Sequence, residues 1–212
     1  ERERLGARLL HESHRVSRVV DDLLALSEIE GEIAPRREPV ACAEVVRRVE
    51  AEVAVLADGF GVEVDTSAVD EDLWVVGDVV QLASAVGNLV ENAIKYSGGS
   101  TEVSVAARAE DRFVRITVTD RGIGIPRGDL DRVFERFYRV DQARSRATGG
   151  TGLGLAIVRN VVEGHGGTVD LTSREGEGTT VDVRLPLSAS RSGGGAGEGA
   201  DQDPMSPTGA SA

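Results

Sequence analysis

The sequence predicts an α+β fold in which helices pack on one face of a sheet. Three observations lead there. Six segments are rich in β-branched residues and alternate apolar with polar, the period of a half-buried strand. Other segments repeat their apolar residues at helical spacing. The strands cluster instead of alternating regularly with helices, which separates the pattern from a doubly wound α/β fold. The 212 residues suit one ordinary domain with appendages. Apolar residues make up 40% of the chain but aromatics only 3%, so the core must come from Val, Leu, Ile and Ala.

The elements follow in order. Residues 1–31 read as one long helix, with Leu5, Leu9, Val16, Val19, Leu23 and Leu26 at helical spacing. Leu9, Val16 and Leu23 lie seven apart, a heptad-like seam that Glu12 interrupts. Such a stripe needs partner helices. Gly31 and Pro35 end it. Residues 32–187 form the mixed domain. A helix is expected at Ala43–Leu56, and strands at Val62–Asp65, Leu73–Val76, Thr101–Ala107, Phe113–Asp120, Thr168–Ser173 and Thr179–Leu185. Asp78 is a plausible N-cap for a strong helix over Val79–Tyr96. A short helix is expected at Asp129–Phe137, and another from Gly152 to Glu163. Gly166-Gly167 and Gly176–Gly178 read as hairpin signals. Residues 188–212 are Gly, Ser, Ala, Pro and Asp with almost no large apolar side chain, so they should be disordered.

Charge and cysteine content exclude several functions. With 36 acidic and 24 basic side chains the net charge is -12. That surface argues against direct nucleic-acid binding and against anionic membranes, since both need basic patches. One cysteine, Cys42, leaves no internal disulfide and fits a reducing compartment. No apolar run approaches the ~20 residues of a membrane span, and no signal peptide is visible. The chain starts without Met and reads as the C-terminal part of something longer.

Three segments carry chemistry. On the helix Val79–Tyr96, Leu82, Val86, Leu89 and Ala93 form the core stripe, while Asn88, Asn92 and Lys95 form a second stripe. Two carboxamides and an ammonium suit a polyphosphate with Mg²⁺, the amide oxygen being a hard ligand. The plain alternative is a solvated polar face. In the strand ending at Asp120, Val114, Ile116 and Val118 share its parity, so this carboxylate continues the apolar face and needs a hydrogen-bond donor. An exocyclic amino group of a base would serve, and so would a backbone N–H of the turn. Gly122 and Gly124 follow and permit close approach of backbone to a flat ligand. The run Gly149-Gly150-Thr151-Gly152-Leu153-Gly154 opens into an apolar helix whose N-terminus can bind phosphate, or serves only as a hinge with a cap. It is neither a Walker A loop nor a dinucleotide fingerprint. Between Pro126 and Thr151 regular signals are few, and a loop of that length is usually functional or disordered.

In this order and combination the segments resemble the catalytic, ATP-binding domain of sensor histidine kinases, preceded by the second helix of their dimerisation domain. Asn88–Ser97 looks like the N box, Asp120–Pro126 the first glycine box, Phe134–Arg139 the F box, and Gly150–Ile157 the second glycine box. The resemblance covers Glu1 to about Leu187. The segment ARSRATGGTGLGLAIV is also similar to the actinobacterial phosphate-responsive sensor kinases. The resemblance implies a Bergerat-type α/β sandwich of a mixed sheet with helices on one face. It implies ATP and Mg²⁺ as cofactors, bound under a lid spanning roughly Arg127 to Thr151. Asp120 would accept from the adenine amino group, Asn92 would ligate Mg²⁺ with Asn88 close by, and Lys95 with the backbone of Gly152 and Gly154 would hold phosphates. Tyr96, Gly122, Gly124, Phe137, Gly150, Thr151 and Leu153 would complete the nucleotide site. Asn88, Lys95 and Arg136 would form the catalytic set; Arg136 and Arg139 are candidates to reach the γ-phosphate, with plain surface ion pairing as the alternative for each. Phe134 and Phe137 would anchor the lid to the domain body.

The resemblance further implies a response-regulator receiver domain as partner, and a homodimer through the dimerisation helices. It implies a cytoplasmic location for this domain, in a parent protein held in the cell membrane. One departure matters. His11-Glu12 is followed by Ser13-His14-Arg15-Val16 without the Pro of the family's phosphoacceptor motif, so the acceptor should be absent. His11 and His14 do not make a metal pair, and His165 reads as turn chemistry. The alternatives are an ATP hydrolase or a non-catalytic nucleotide-binding module of the same superfamily. Hydrolases of that superfamily place a Glu at position 88 as base, and Asn88 cannot take a proton. Glu91, one turn away, should face elsewhere.

Overall fold

Every second residue of the strand Phe113–Asp120 is buried, and that alternation organises the molecule. A computed structural model describes residues 37–99, 102–140 and 150–188. The expected N-terminal helix, the middle of the long loop and the C-terminal tail lie outside the described residues. In chain order the elements are β1 (Glu38–Ala41), α1 (Cys42–Phe60), β2 (Glu63–Val69), β3 (Trp74–Gly77), α2 (Val79–Lys95), β4 (Glu102–Glu110), β5 (Phe113–Asp120), α3 (Gly154–Gly164), β6 (Thr168–Arg174) and β7 (Gly178–Pro186).

Five strands form one sheet in the order β2-β4-β5-β7-β6. β2 runs parallel to β4 and the other neighbours are antiparallel, so the sheet is mixed. One face carries Val103, Val105, Val114, Ile116, Val181 and Val183, all buried in a single core with α1, α2 and α3. The opposite face carries cross-strand ion pairs: Arg115 lies 3.3 Å from both Glu110 and Asp182, and Arg184 lies 3.2 Å from Glu110. One apolar and one polar face is the expected economy of a two-layer fold. The core is aliphatic, as composition required, and among the described residues Phe134 is the one Phe, Tyr or Trp in the buried set. Cys42 is buried at the head of α1, and burial pushes its thiol up to about 12, which leaves it unreactive. Among the described residues no helix is long and apolar enough to cross a membrane.

Local rules explain most boundaries. Asp78 caps α2 as expected, its Oδ1 accepting from the backbone N–H of Val80 and Gln81 at 2.8 and 3.2 Å. Leu82, Val86, Leu89 and Ala93 form the buried stripe of that helix. α1 runs four residues past the expected Leu56, because its stop is Gly61, left-handed at φ 66. β1 was not anticipated. It is four residues long, contains Pro39, and exists only by pairing with β3. The expected helix Asp129–Phe137 is absent: a 3₁₀ turn at Arg127–Asp129 leads into further turns. Phe137 has φ 63, which no right-handed helix accommodates. Gly166-Gly167 is also not a hairpin but the turn from α3 into β6, whereas Gly176–Gly178 does join β6 to β7. α3 begins at Gly154, two residues later than expected, after the cap Leu153.

Candidate functional site

α2 contributes two faces, and the polar one opens on a cavity of about 1110 Å³. Its wall includes Asn88, Asn92 and Lys95 from α2 with its C-cap Tyr96, Asp120 at the end of β5 and Gly124 beyond it, and Gly150, Thr151, Gly152 and Gly154 leading into α3. Three segments far apart in the chain therefore meet in one space, of a size that suits a nucleotide.

At one end stands Asp120, 8% exposed. Its Oδ1 accepts from the backbone N–H of Gly122 at 2.8 Å, so the turn-capping alternative is real. The carboxylate still faces the cavity, where a base amino group can donate to it. Burial pushes its pKa up, against the lowering effect of the Gly122 and Thr179 amides. Gly122 lies beneath rather than in the wall. A Cβ there would stand 2.0 Å from the Tyr96 carbonyl oxygen, so only glycine lets the loop close on the end of α2. Ile123 N–H donates to that same carbonyl at 3.0 Å. Leu171, Thr179 and Val181 also line this end, and no motif marked them. Strand pairing brings them there, with Thr179 opposite Asp120 and Val181 between Val118 and Leu171.

At the other end Asn88 donates its Nδ2 to the Ser84 carbonyl at 2.9 Å, which leaves Oδ1 turned toward α3. A Cβ on Gly154 would stand 2.7 Å from that Oδ1 and 3.7 Å from Asn92 Nδ2. The glycine thus seats the start of α3 directly on the two carboxamides. Leu153 supplies no side-chain cap, so it leaves the first amides of α3 for another acceptor. Lys95 is tied to Glu91 at 2.5 Å, with its side chain only 11% exposed. Glu91 lines the same cavity, contrary to the expectation that it faces elsewhere. Asn88 and Glu91 are three apart on a helix, which makes them neighbours.

Four expected contributors lie outside the wall. Leu153 is fully buried core. Gly122 acts from below, as described. Arg136 is exposed on the F-box turns. Phe137 is 63% exposed, so it does not anchor the lid by burial. Its backbone does the fastening instead, with Phe137 N–H donating to the Gly152 carbonyl at 2.8 Å. Phe134 does anchor: it is buried, with the Arg159 guanidinium of α3 over its ring at 4.3 Å. Arg139 lies in the wall, its guanidinium 3.6 Å from where a Cβ on Gly150 would stand. Tyr138 and Asp129 were missed; their side chains hydrogen-bond to one another at the cavity edge, with Arg132 4.1 Å over the Tyr138 ring.

Among the described residues no cluster of three or more His, Cys, Asp or Glu could hold a metal alone. A divalent ion held by one amide oxygen, with phosphates and water completing its shell, is what Mg²⁺ tolerates, and Asn92, whose side chain carries such an oxygen, is one of the wall residues.

The comparisons agree with this geometry. Residues 77–189 match the family described as histidine kinase-, DNA gyrase B-, and HSP90-like ATPase. The chain is 43% identical over 184 residues to the sensor-like histidine kinase SenX3 of Mycolicibacterium smegmatis, covering 86% of this chain and 48% of that protein. It is 40% identical over 185 residues to the sensor histidine kinase WalK of Bacillus subtilis, covering 83% and 29%. The chain thus spans about half the length, or less, of these relatives. Among solved structures it is similar to the mycobacterial sensor histidine kinase MprB, with TM-score 0.62 and 33% identity over 71% of this chain and 97% of that one. It is also similar to full-length ShkA in complex with AMPPNP, with TM-score 0.73 and 27% identity over 90% and 40%. With the mixed sheet, the one-sided helix layer and the matched region together, the chain belongs to the histidine kinase-, DNA gyrase B- and HSP90-like ATPase family and carries its ATP-binding domain in the form found in histidine kinases.

Proposed function

We propose that this chain binds ATP with Mg²⁺ and passes the γ-phosphoryl to a histidine on a dimerisation helix, for relay to a response-regulator aspartate. The observation that carries the reading is the single cavity joining Asp120 to Asn88, Asn92 and Lys95 and to the start of α3. Asp120 accepts from the adenine amino group. Asn92 holds the metal, which neutralises phosphate charge when bound, and Asn88 sits beside it. Lys95 exchanges Glu91 for phosphate oxygens, the amides at Gly152 and Gly154 receive the phosphates, and Arg139 neutralises charge at the far end. Transfer forms a bond from imidazole nitrogen to phosphorus, breaks the bond to the β-phosphate oxygen, and releases ADP and the imidazole proton. The chain's share of this is positioning and charge neutralisation. Asn88 cannot serve as a base for water, and the Glu91 carboxylate is engaged by Lys95, so hydrolysis is the weaker reading. Following its sensor-kinase relatives, the parent protein is a membrane-held homodimer with this domain on the cytoplasmic side.

The test is phosphotransfer in trans. Incubated with labelled ATP, Mg²⁺ and a separate dimerisation fragment bearing the acceptor histidine, the chain should label that fragment and not itself. Asn92→Ala should abolish labelling and weaken ATP about tenfold in Mg²⁺, while binding equally to the parent in EDTA. Acid-labile phosphate on His11, or full labelling by Asn92→Ala, would overturn the assignment.

A further inference from the structure

Among the described residues two buried titratable side chains take no part in the cavity, the Cys42 thiol and a histidine. His165, 4% exposed, follows the last turn of α3. Its Nδ1 lies 2.7 Å from the Val161 carbonyl oxygen, and its Nε2 accepts from the backbone N–H of Asp78 at 3.1 Å. A carbonyl can only accept and an amide can only donate, so both bonds are met by one species: neutral imidazole with its proton on Nδ1. Asp78 is the residue whose carboxylate caps α2. The ring also occupies the space beside Gly77, where a Cβ would stand 2.5 Å from His165 Cδ2 and 2.8 Å from Nε2. Position 77 has no room for any side chain while His165 is there.

The joint connects the C-terminal end of α3 to the N-terminal end of α2. These are the two helices that meet again where Gly154 rests on Asn88. From Asp78 to Asn88 is ten residues of helix, about 15 Å. From Gly154 to His165 is the whole length of α3. Each helix is thus held to the other at two places, by the His165 joint and by the Asn88–Gly154 contact. A packed pair fixed at one end only can slide or rotate by a fraction of a turn; fixed at both it cannot.

We propose that His165 is a positioning residue for the phosphate end of the nucleotide site: it sets the register of α3 against α2, and so the approach of the Gly154 amide to Asn88 and Asn92. The inference rests on the nucleotide-binding reading above. Its consequence is selective. Contacts to phosphate depend on the α2–α3 register. Contacts to the base run through Asp120, the Gly122 turn and the Thr179 end of strand β7, the opposite end of that strand from the Arg184–Pro186 stretch beside the joint.

The experiment measures ATP affinity by calorimetry and adenosine affinity by NMR titration, under conditions where each variant is folded by circular dichroism. His165→Leu fills the space but cannot accept from Asp78. It should lose about tenfold in ATP affinity with adenosine affinity unchanged, because the half-buried Asp78 amide loses its acceptor and the joint its hydrogen bond. His165→Gln, whose amide oxygen can reach that N–H, should recover most of the ATP affinity. Gly77→Ala strikes the joint from the opposite side and should reproduce the selective loss should His165→Leu fail to fold. Equal losses for ATP and adenosine, or no rescue by glutamine, would make His165 a general stabiliser and overturn the proposal. A parent that binds neither ligand would instead sink the nucleotide-binding reading itself.

Discussion

At the base end of the cavity backbone contacts brace the wall from beneath; at the phosphate end side chains and a helix terminus form it. The Asp120 turn is clamped by Gly122 against the Tyr96 carbonyl, by Ile123 N–H to that carbonyl, and by Gly176 N–H to the Ile123 carbonyl at 2.7 Å. These groups have one arrangement and are set before any ligand arrives. The phosphate end contains Lys95 held by Glu91 and Arg139 after the F-box turns, and the left-handed backbone of Phe137 fastens it from outside the wall. Its charged groups must change partners when phosphate enters. On the proposed nucleotide reading, base recognition is prebuilt, while phosphate recognition trades existing interactions for new ones.

The largest way to break this contrast is at the rigid end. Gly122→Ala drives a Cβ into the Tyr96 carbonyl, and neither backbone can yield without moving α2 or the β5 turn. We expect a loss of about 3–4 kcal/mol in stability and at least a hundredfold in ATP affinity, measured by denaturation and calorimetry. A near-normal Gly122→Ala would show that the base end is pliable.

Asp120→Asn separates binding from stability. Burial raises the folded-state pKa of Asp120, so the folded protein holds this proton more tightly than the unfolded chain. Stability from this group is present at low pH and declines as pH rises through the window from the ordinary carboxylate value to the raised one. At pH 7 the ionised group is a net cost in the nucleotide-free domain, and the neutral amide removes it. Asp120→Asn should melt a few degrees higher at pH 7, with the gain shrinking toward pH 4, yet bind ATP roughly ten- to a hundredfold more weakly. A lower melting temperature would mean that the turn needs the charge.

The smallest effect tests the flexible end. Phe137 pays for φ 63 with about 1 kcal/mol of backbone strain, and its exposed ring contributes little burial in return. Phe137→Gly should leave stability equal or higher by about 1 kcal/mol in denaturant titration, with ATP affinity unchanged. A destabilised Phe137→Gly would restore the anchoring role expected from the resemblance.

What could be read in the sequence was what neighbours along the chain decide. Period-2 alternation located β5 to the residue, and the Asp78 cap with the Leu82–Ala93 stripe located α2. The parity of Asp120 with Val114, Ile116 and Val118 foretold a buried carboxylate before any partner was known. β1 was illegible because Glu38-Pro39-Val40-Ala41 holds a proline and a single β-branched residue, and pairing with β3 is what makes it. The F-box turns misled because Asp129–Phe137 has helix-forming composition, while the hydrogen bond from Phe137 to Gly152 selects the left-handed backbone. Of the expected site, Asn88, Asn92, Lys95, Tyr96, Asp120 and most of the second glycine run do meet in one cavity, whereas Arg136, Phe137, Leu153 and Gly122 do not line it. By itself the sequence determined which residues carry donors, acceptors and charge, and on which face of each helix or strand they lie, because those depend on side-chain chemistry and local periodicity. Only the tertiary structure decided that Leu171 and Val181 wall the base end, and that His165 fits against Gly77, because each is a contact between surfaces whose distance in space their spacing in the chain does not encode.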